Sequence, residues 1–188
     1  MVHRVCTTCG AIEHDPSGAF DVIIESGSTY SDVLGCGAYP FLIVAERVVA
    51  AWRAAGVTSF HTFPVGVAAV TARRLRNVAP PGYVRIEIDG SCQIDLLASG
   101  IAIARICPEC HRVIERPVLS HQRRFIMKPG SWDGSPLFRD ALLYPHVSFC
   151  TRLILEIACD HQLTNFRFEP MEGPLDSTSK GIDYLRMS

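Results

Sequence analysis

An α+β fold, with antiparallel strands carrying two main helices, is what this sequence predicts, and three observations predict it. Two apolar stripes repeat at the three- and four-residue spacing of a helix. Short strand-like runs, divided by Gly and Pro turns, lie between and after them. One order of features (thiol pair, loop, apolar stripe, strand) is also spelled twice along the 188 residues.

That length suits one well-packed domain, or two small lobes sharing a core. Apolar residues at 48% and charged residues at 20% give an ordinary globular balance. A net charge of −1 supplies no general attraction to nucleic acid or to acidic membranes. The opening MVHRVCTTCG lacks the apolar centre of a secretion signal. The densest apolar stretch, 41–55, is too short to span a bilayer and carries Glu46, Arg47 and Arg53. The expectation is a soluble, cytoplasmic protein with no membrane contact. There thiols stay reduced, and paired cysteines are metal ligands more often than disulfides.

Taken in order, residues 2–5 read as a strand entering the first thiol pair, and FDVII (Phe20–Ile24) as a second strand. ESGSTYSDVLGCG is a loop by its Gly and Ser content. In PFLIVAERVVAAWRAAG, Phe41, Val44, Val48, Ala51 and Ala55 form one stripe, and Glu46 and Arg53 share another face. With Pro40 in the first turn and Gly56 at the C-terminal cap, the spacing predicts one helix. VGVAAVTARRL, YVRIEID and IAIARI are strand-like, separated by APPG and DGS turns. RRFIMK is a further strand and PGSWDGSP a turn-rich loop. VSFCTRLILEIACDHQL is the second helix, with Cys150, Leu153, Ile154, Ile157 and Ala158 opposed to Arg152, Glu156 and Asp160. FRFEP closes as a strand before the polar tail LDSTSKGIDYLRMS.

The two stripes sit in matching contexts. Both follow Tyr-Pro, and Thr58, Phe60 and Pro64 recur 106 residues later as Thr164, Phe166 and Pro170. RVCTTCG, with Cys6 and Cys9, recurs 101 residues later as RICPECH, with Cys107 and Cys110. The sequence therefore predicts one domain over 1–188, an internal pseudo-duplication with halves of about 1–100 and 101–188, joined by a shared metal site.

Zn²⁺ takes four tetrahedral soft ligands, and a closed four-cysteine set is its usual structural site. A Cys-x-x-Cys turn aims two sulfurs at one point, and Gly10 after the first pair tolerates positive φ. Cys6, Cys9, Cys107 and Cys110 are thus expected to bind one Zn²⁺ in a zinc-ribbon-like site of two knuckles. Three other readings stand beside this one: a redox pair, two separate ions, or unligated core thiols. His111, in the place of Gly10, reads first as a solvent-facing histidine at the edge of the knuckle and second as a ligand that replaces one thiol. Cys36, Cys92, Cys150 and Cys159 have no partner at ligand spacing and read as small buried apolar residues.

No enzyme signature appears. No histidine is followed by x-Glu, neither thiol pair is preceded by proline, and a phosphate-binding Gly-rich loop with Lys and a Gly-x-Ser-x-Gly elbow are absent. ARRLR and HQRRF, with Arg73, Arg74, Arg123 and Arg124, are the basic clusters, short for a nucleic-acid surface on a neutral chain.

The thiol pairs, together with GSWDGSPLF, LTNFRFEP and SKGIDYL, resemble the double-CXXCG-motif family of paralogous myxobacterial proteins, some of which are immunity proteins against delivered toxins. The likeness extends over most of the chain and departs at His111, where the family motif has Gly. The resemblance implies a non-catalytic protein that neutralises a cognate toxin by binding it; a zinc-ribbon nucleic-acid or regulatory adaptor is the alternative. Aromatic residues on ordered loops anchor interfaces, so Trp132, Phe138 and Tyr30 are the expected partner contacts. Trp132 and Phe138 could equally plug the local core.

Overall fold

A computed structural model of the chain describes residues 3–10, 12–14, 20–35, 41–101, 103–110, 113–115, 125–141, 147–171 and 184–187. The elements are β1 (His3–Val5), β2 (Ile12–His14), β3 (Phe20–Ile24), β4 (Val33–Leu34), β5 (Leu42–Ala45), α1 (Glu46–Ala54), β6 (Phe60–Val70), β7 (Tyr83–Ile88) and β8 (Ser91–Cys92). There follow β9 (Ile103–Ile106), β10 (Val113–Glu115), β11 (Leu137–Asp140), β12 (Ser148–Thr151), α2 (Arg152–Asp160), β13 (Phe168–Pro170) and β14 (Tyr184–Met187). The class is α+β, as the sequence predicts. No helix among the described residues is long and apolar enough to cross a membrane.

Both expected helices begin later than their stripes suggest. The apolar run LIVA and the wholly buried run SFCT are strands β5 and β12, and only the residues after them are helical. The cause is burial on both sides. Alternate β5 residues face opposite cores, Ile43 and Ala45 one way and Val44 the other, so the run is continuously apolar. Such a run fits a helical stripe equally well. TARRL, expected as the end of a strand, is a turn in which Ala72 and Leu75 are buried and the arginines are exposed. RRFIMK contributes the bridge Ile94–Met127, while its two arginines lie outside the described residues.

The helices end alike. After α1, Gly56 (φ 79°) donates to the Arg53 carbonyl at 3.0 Å, and Val57 donates to the Trp52 carbonyl at 2.9 Å. After α2, Gln162 (φ 50°) donates to the Cys159 carbonyl at 3.1 Å, and Leu163 to the Ala158 carbonyl at 2.8 Å. Both are Schellman caps, which need a left-handed residue that glycine supplies without strain.

Two five-stranded sheets have the orders β3-β6-β7-β5-β4 and β13-β14-β12-β11-β8. Within them, four strands of the first match four of the second in order and register. Ile43 of β5 lies between Leu34 and Arg85, and Phe149 of β12 lies between Phe138 and Arg186. Pro64 faces Val84, and Pro170 faces Leu185. The facing strands read Tyr83-Val84-Arg85-Ile86 and Tyr184-Leu185-Arg186-Met187. Pro64 is tolerated within β6 because β3 pairs only from Val65 onward, which leaves that edge free of ladder bonds.

One core is shared by both sheets and both helices. It joins Val33, Val44, Val48, Trp52 and Ile86 to Leu137, Cys150, Ile154, Ile157 and Met187. Smaller cores cover the outer face of each sheet, around Tyr83 and Ile43 in the first and around Phe138 and Phe149 in the second. Arg85, only 4% exposed, lies between the rings of Phe63 and Phe41 with its guanidinium carbon 4.5 and 5.1 Å from their centroids.

A buried carboxylate ties the halves at a second point. Asp32 is 3% exposed, pairs with the Arg47 guanidinium, and accepts the Thr164 N–H at 2.6 Å and the Thr164 hydroxyl at 2.9 Å.

Candidate metal centre

Strands β1 and β2 form a hairpin whose turn is Cys6-Thr7-Thr8-Cys9-Gly10. Gly10 adopts φ 71°, and its N–H donates to the Cys6 carbonyl at 2.9 Å, the positive-φ turn expected from the sequence. Strands β9 and β10 form a second hairpin whose turn carries Cys107, Pro108, Glu109 and Cys110. Each thiol pair is therefore a turn at the tip of its own two-stranded sheet.

The tips meet. The four Sγ atoms all lie within 4.8 Å of one another. Cys6 Sγ is 3.7 Å from Cys107 Sγ, and Cys9 Sγ is 3.5 Å from Cys110 Sγ. Each cysteine thus lies against its counterpart in the other half. Cys6 and Cys107 are buried, Cys9 is half-buried and Cys110 is exposed. These separations far exceed the ~2.05 Å of a disulfide, and the four thiols together are placed to hold one metal ion.

Glu109 bolts one tip to the other. Its carboxylate accepts the Thr8 hydroxyl at 2.7 Å, the Thr7 hydroxyl at 2.9 Å, the Thr8 N–H at 3.2 Å and the Cys6 thiol at 3.3 Å. The Thr8 and Thr7 hydroxyls, with the Cys6 thiol, hold it down to about 2. Burial pushes the Cys6 thiol up to about 12, whereas the backbone N–H of Cys110, then that of Glu109, draws Cys107 down to about 6. Backbone N–H groups aimed at sulfur favour the thiolate, which is the form that ligates a metal.

The remaining expected site residues fall differently. Phe138 is fully buried, stacked on Phe149 at 5.8 Å, so it plugs the local core and is not an exposed contact. Trp132 is half-buried against that core, with Nε1 donating to the Ser135 carbonyl at 3.0 Å. Tyr30 is half-buried and donates to the Val78 carbonyl at 2.7 Å. Arg73 and Arg74 are exposed. His111, Cys36, Arg123 and Arg124 lie outside the described residues.

A cleft of about 430 Å³ runs beside Cys92, Lys128 and Asp140. Burial, then the Asp140 and Asp133 carboxylates, push the Cys92 thiol up to about 12, so it is protonated at neutral pH and is a poor nucleophile. Sequence reasoning missed Glu109 and its threonine partners. Their signal, an acid inside one Cys-x-x-Cys and two hydroxyls inside the other, becomes legible only once the turns are known to face each other.

Searches of protein-family models, curated proteins and solved structures find nothing that matches this chain.

Proposed function

We propose that the chain is a non-catalytic binding protein whose two related halves are stapled by one Zn²⁺ on Cys6, Cys9, Cys107 and Cys110. The observation that carries this reading is the closed set of four sulfurs, one pair from each hairpin. A tetrahedron with Zn–S bonds of about 2.3 Å has sulfur–sulfur edges of about 3.8 Å, and two pairs that cross between the hairpins stand at 3.7 and 3.5 Å. Thiolates favour zinc over the hard divalent cations. Four of them fill its shell and leave no position for an activated water, which favours a structural role over a catalytic one.

Matching strand registers, matching helix caps and counterpart cysteines support the internal duplication. In that reading the ion lies on the pseudo-two-fold axis relating the halves, the zinc-ribbon-like arrangement expected from the sequence. The binding partner is a cognate toxin, neutralised by direct contact, and the support for this identity is the family resemblance. Zinc analysis of protein prepared without added metal tests the staple: about one ion per chain is expected, and a metal-free folded sample overturns it. Co-expression with a toxin encoded beside the gene tests immunity. Survival and co-purification support it, and failure of both ends it for that toxin.

The exposed Arg73, Arg74 and Arg76, in the turn after β6, favour the nucleic-acid adaptor as the second reading. That reading requires binding that weakens steeply with salt and with loss of these arginines.

A further inference from the structure

The four-sulfur cluster is two-sided. Cys6 and Cys107 are 8% and 1% exposed, whereas Cys110 is exposed and Cys9 half-buried. Oxidants in water therefore meet Cys9 and Cys110 first, and these two sulfurs are only 3.5 Å apart. The hairpins that carry them are separate two-stranded sheets, with no ladder pairing between them among the described residues. Their tips are joined by the sulfur cluster itself and by the bonds that Glu109 accepts from Thr7, Thr8 and Cys6. Closing to the ~2.05 Å of a disulfide needs the two tips to approach by a small shift, with no strand pairing broken.

We propose that Cys9 and Cys110 are an oxidisable pair, closed by peroxide into a disulfide between the two hairpins when the cluster is free of metal. The Cys110 thiolate attacks the O–O bond of the peroxide. A sulfur–oxygen bond forms, the O–O bond breaks, and hydroxide leaves and is protonated to water. The Cys9 thiolate then attacks the sulfenic sulfur; the sulfur–sulfur bond forms, the sulfur–oxygen bond breaks, and a second water is released. Two thiols lose two electrons in all, and one peroxide becomes two waters. A bound metal engages the sulfur lone pairs and suppresses the reaction, so the pair couples oxidation to loss of the staple. A thiol reductant reverses it.

This inference rests on the four cysteines being one shared metal site, and its test separates the two claims. Full-length protein, stripped by chelator under reductant or reloaded with Zn²⁺, is treated with hydrogen peroxide, capped by alkylation and mapped as non-reduced peptides by mass spectrometry. The stripped protein is expected to yield the Cys9–Cys110 linked peptide as its main disulfide. The zinc-loaded protein should lose that product, dithiothreitol should restore zinc uptake, and Cys110→Ser should abolish the link. Cys159→Ser, which removes an exposed thiol outside the cluster, should leave it intact. Disulfides formed within each Cys-x-x-Cys turn, or oxidation confined to Cys159, overturn the proposal even if zinc binds. Failure to take up zinc overturns the metal reading and still leaves the link measurable.

Discussion

Ser59 and Asn165 occupy equivalent places after the two helices, and each donates into the other half. Ser59 Oγ reaches the Leu137 carbonyl at 3.1 Å, and Asn165 Nδ2 reaches the Val33 carbonyl at 2.7 Å. Leu137 and Val33 are themselves equivalent, the first residues of β11 and β4. The two bonds are reciprocal: the residue after α1 donates to the strand β11 that precedes α2, and the residue after α2 donates to the strand β4 that precedes α1.

Asn165 holds φ 65°, which asparagine and glycine tolerate. Asn165→Gly therefore permits the same backbone conformation while removing the amide, and leaves the carbonyl of the buried Val33 without that donor. A loss of about 1–3 kcal/mol in urea unfolding is expected. An unchanged midpoint would mean that solvent replaces the bond and that the reciprocal contact contributes nothing.

Gln162 stands where Gly56 stands at the other cap, yet carries a side chain at φ 50°. Left-handed backbone costs a non-glycine residue roughly 1–2 kcal/mol, part of which glycine returns through its more flexible unfolded chain. Gln162→Gly is expected to raise stability by about 1 kcal/mol. Gly56→Gln should lower it by a similar amount. Thermal unfolding of the two variants side by side checks both directions.

The residues that announced themselves in the sequence were those whose chemistry is local. Cys-x-x-Cys followed by Gly10 specifies a turn, and Gly56 specifies a helix end. Leu42–Ala45 and Ser148–Thr151 did not announce themselves as strands, because burial on both faces erases the alternation that distinguishes a strand from a helix. Tyr184–Met187 was hidden in a polar tail, since four residues give too short a pattern. The bond of Asp32 to Thr164 was illegible for a different reason: Thr164 lies 132 residues away, and only the packing of the two sheets brings them together.

Burial would raise the pKa of Asp32, but the Arg47 guanidinium first, and then the Thr164 N–H and hydroxyl, hold it below the usual carboxylate value. A carboxylate depressed in the folded state stabilises above its unfolded pKa and loses that contribution as pH falls through the folded value. Stability should thus decline as pH drops below about 4. Asp32→Asn should cost about 1–3 kcal/mol at neutral pH and should flatten that decline. The flattening is partial, because Asp133 and Glu109 are lowered too. Urea midpoints at about pH 7 and about pH 3 test this; a parallel decline in the variant would assign the acid sensitivity elsewhere.

Cys107 and Cys92 are both buried thiols, 1% and 5% exposed, and burial alone would make their loss equivalent. Their surroundings separate them. Cys92 packs among Ile94, Met127 and Phe149, so Cys92→Ser puts a hydroxyl into an apolar core and should cost about 1–3 kcal/mol without changing metal content. Cys107 sits against Cys6 across 101 residues of chain. A cross-link closing so long a loop contributes on the order of 4 kcal/mol, and a metal held by both halves acts in the same way. Cys107→Ser should therefore lose the ion and melt far lower. The decisive measurement is the response to chelator. Wild type and Cys92→Ser should both drop in unfolding temperature when the metal is removed, and Cys107→Ser should not move. If Cys107→Ser still responds to chelator, the ion is held without that thiol. If the wild type does not respond, the four sulfurs are packed together for reasons other than a metal.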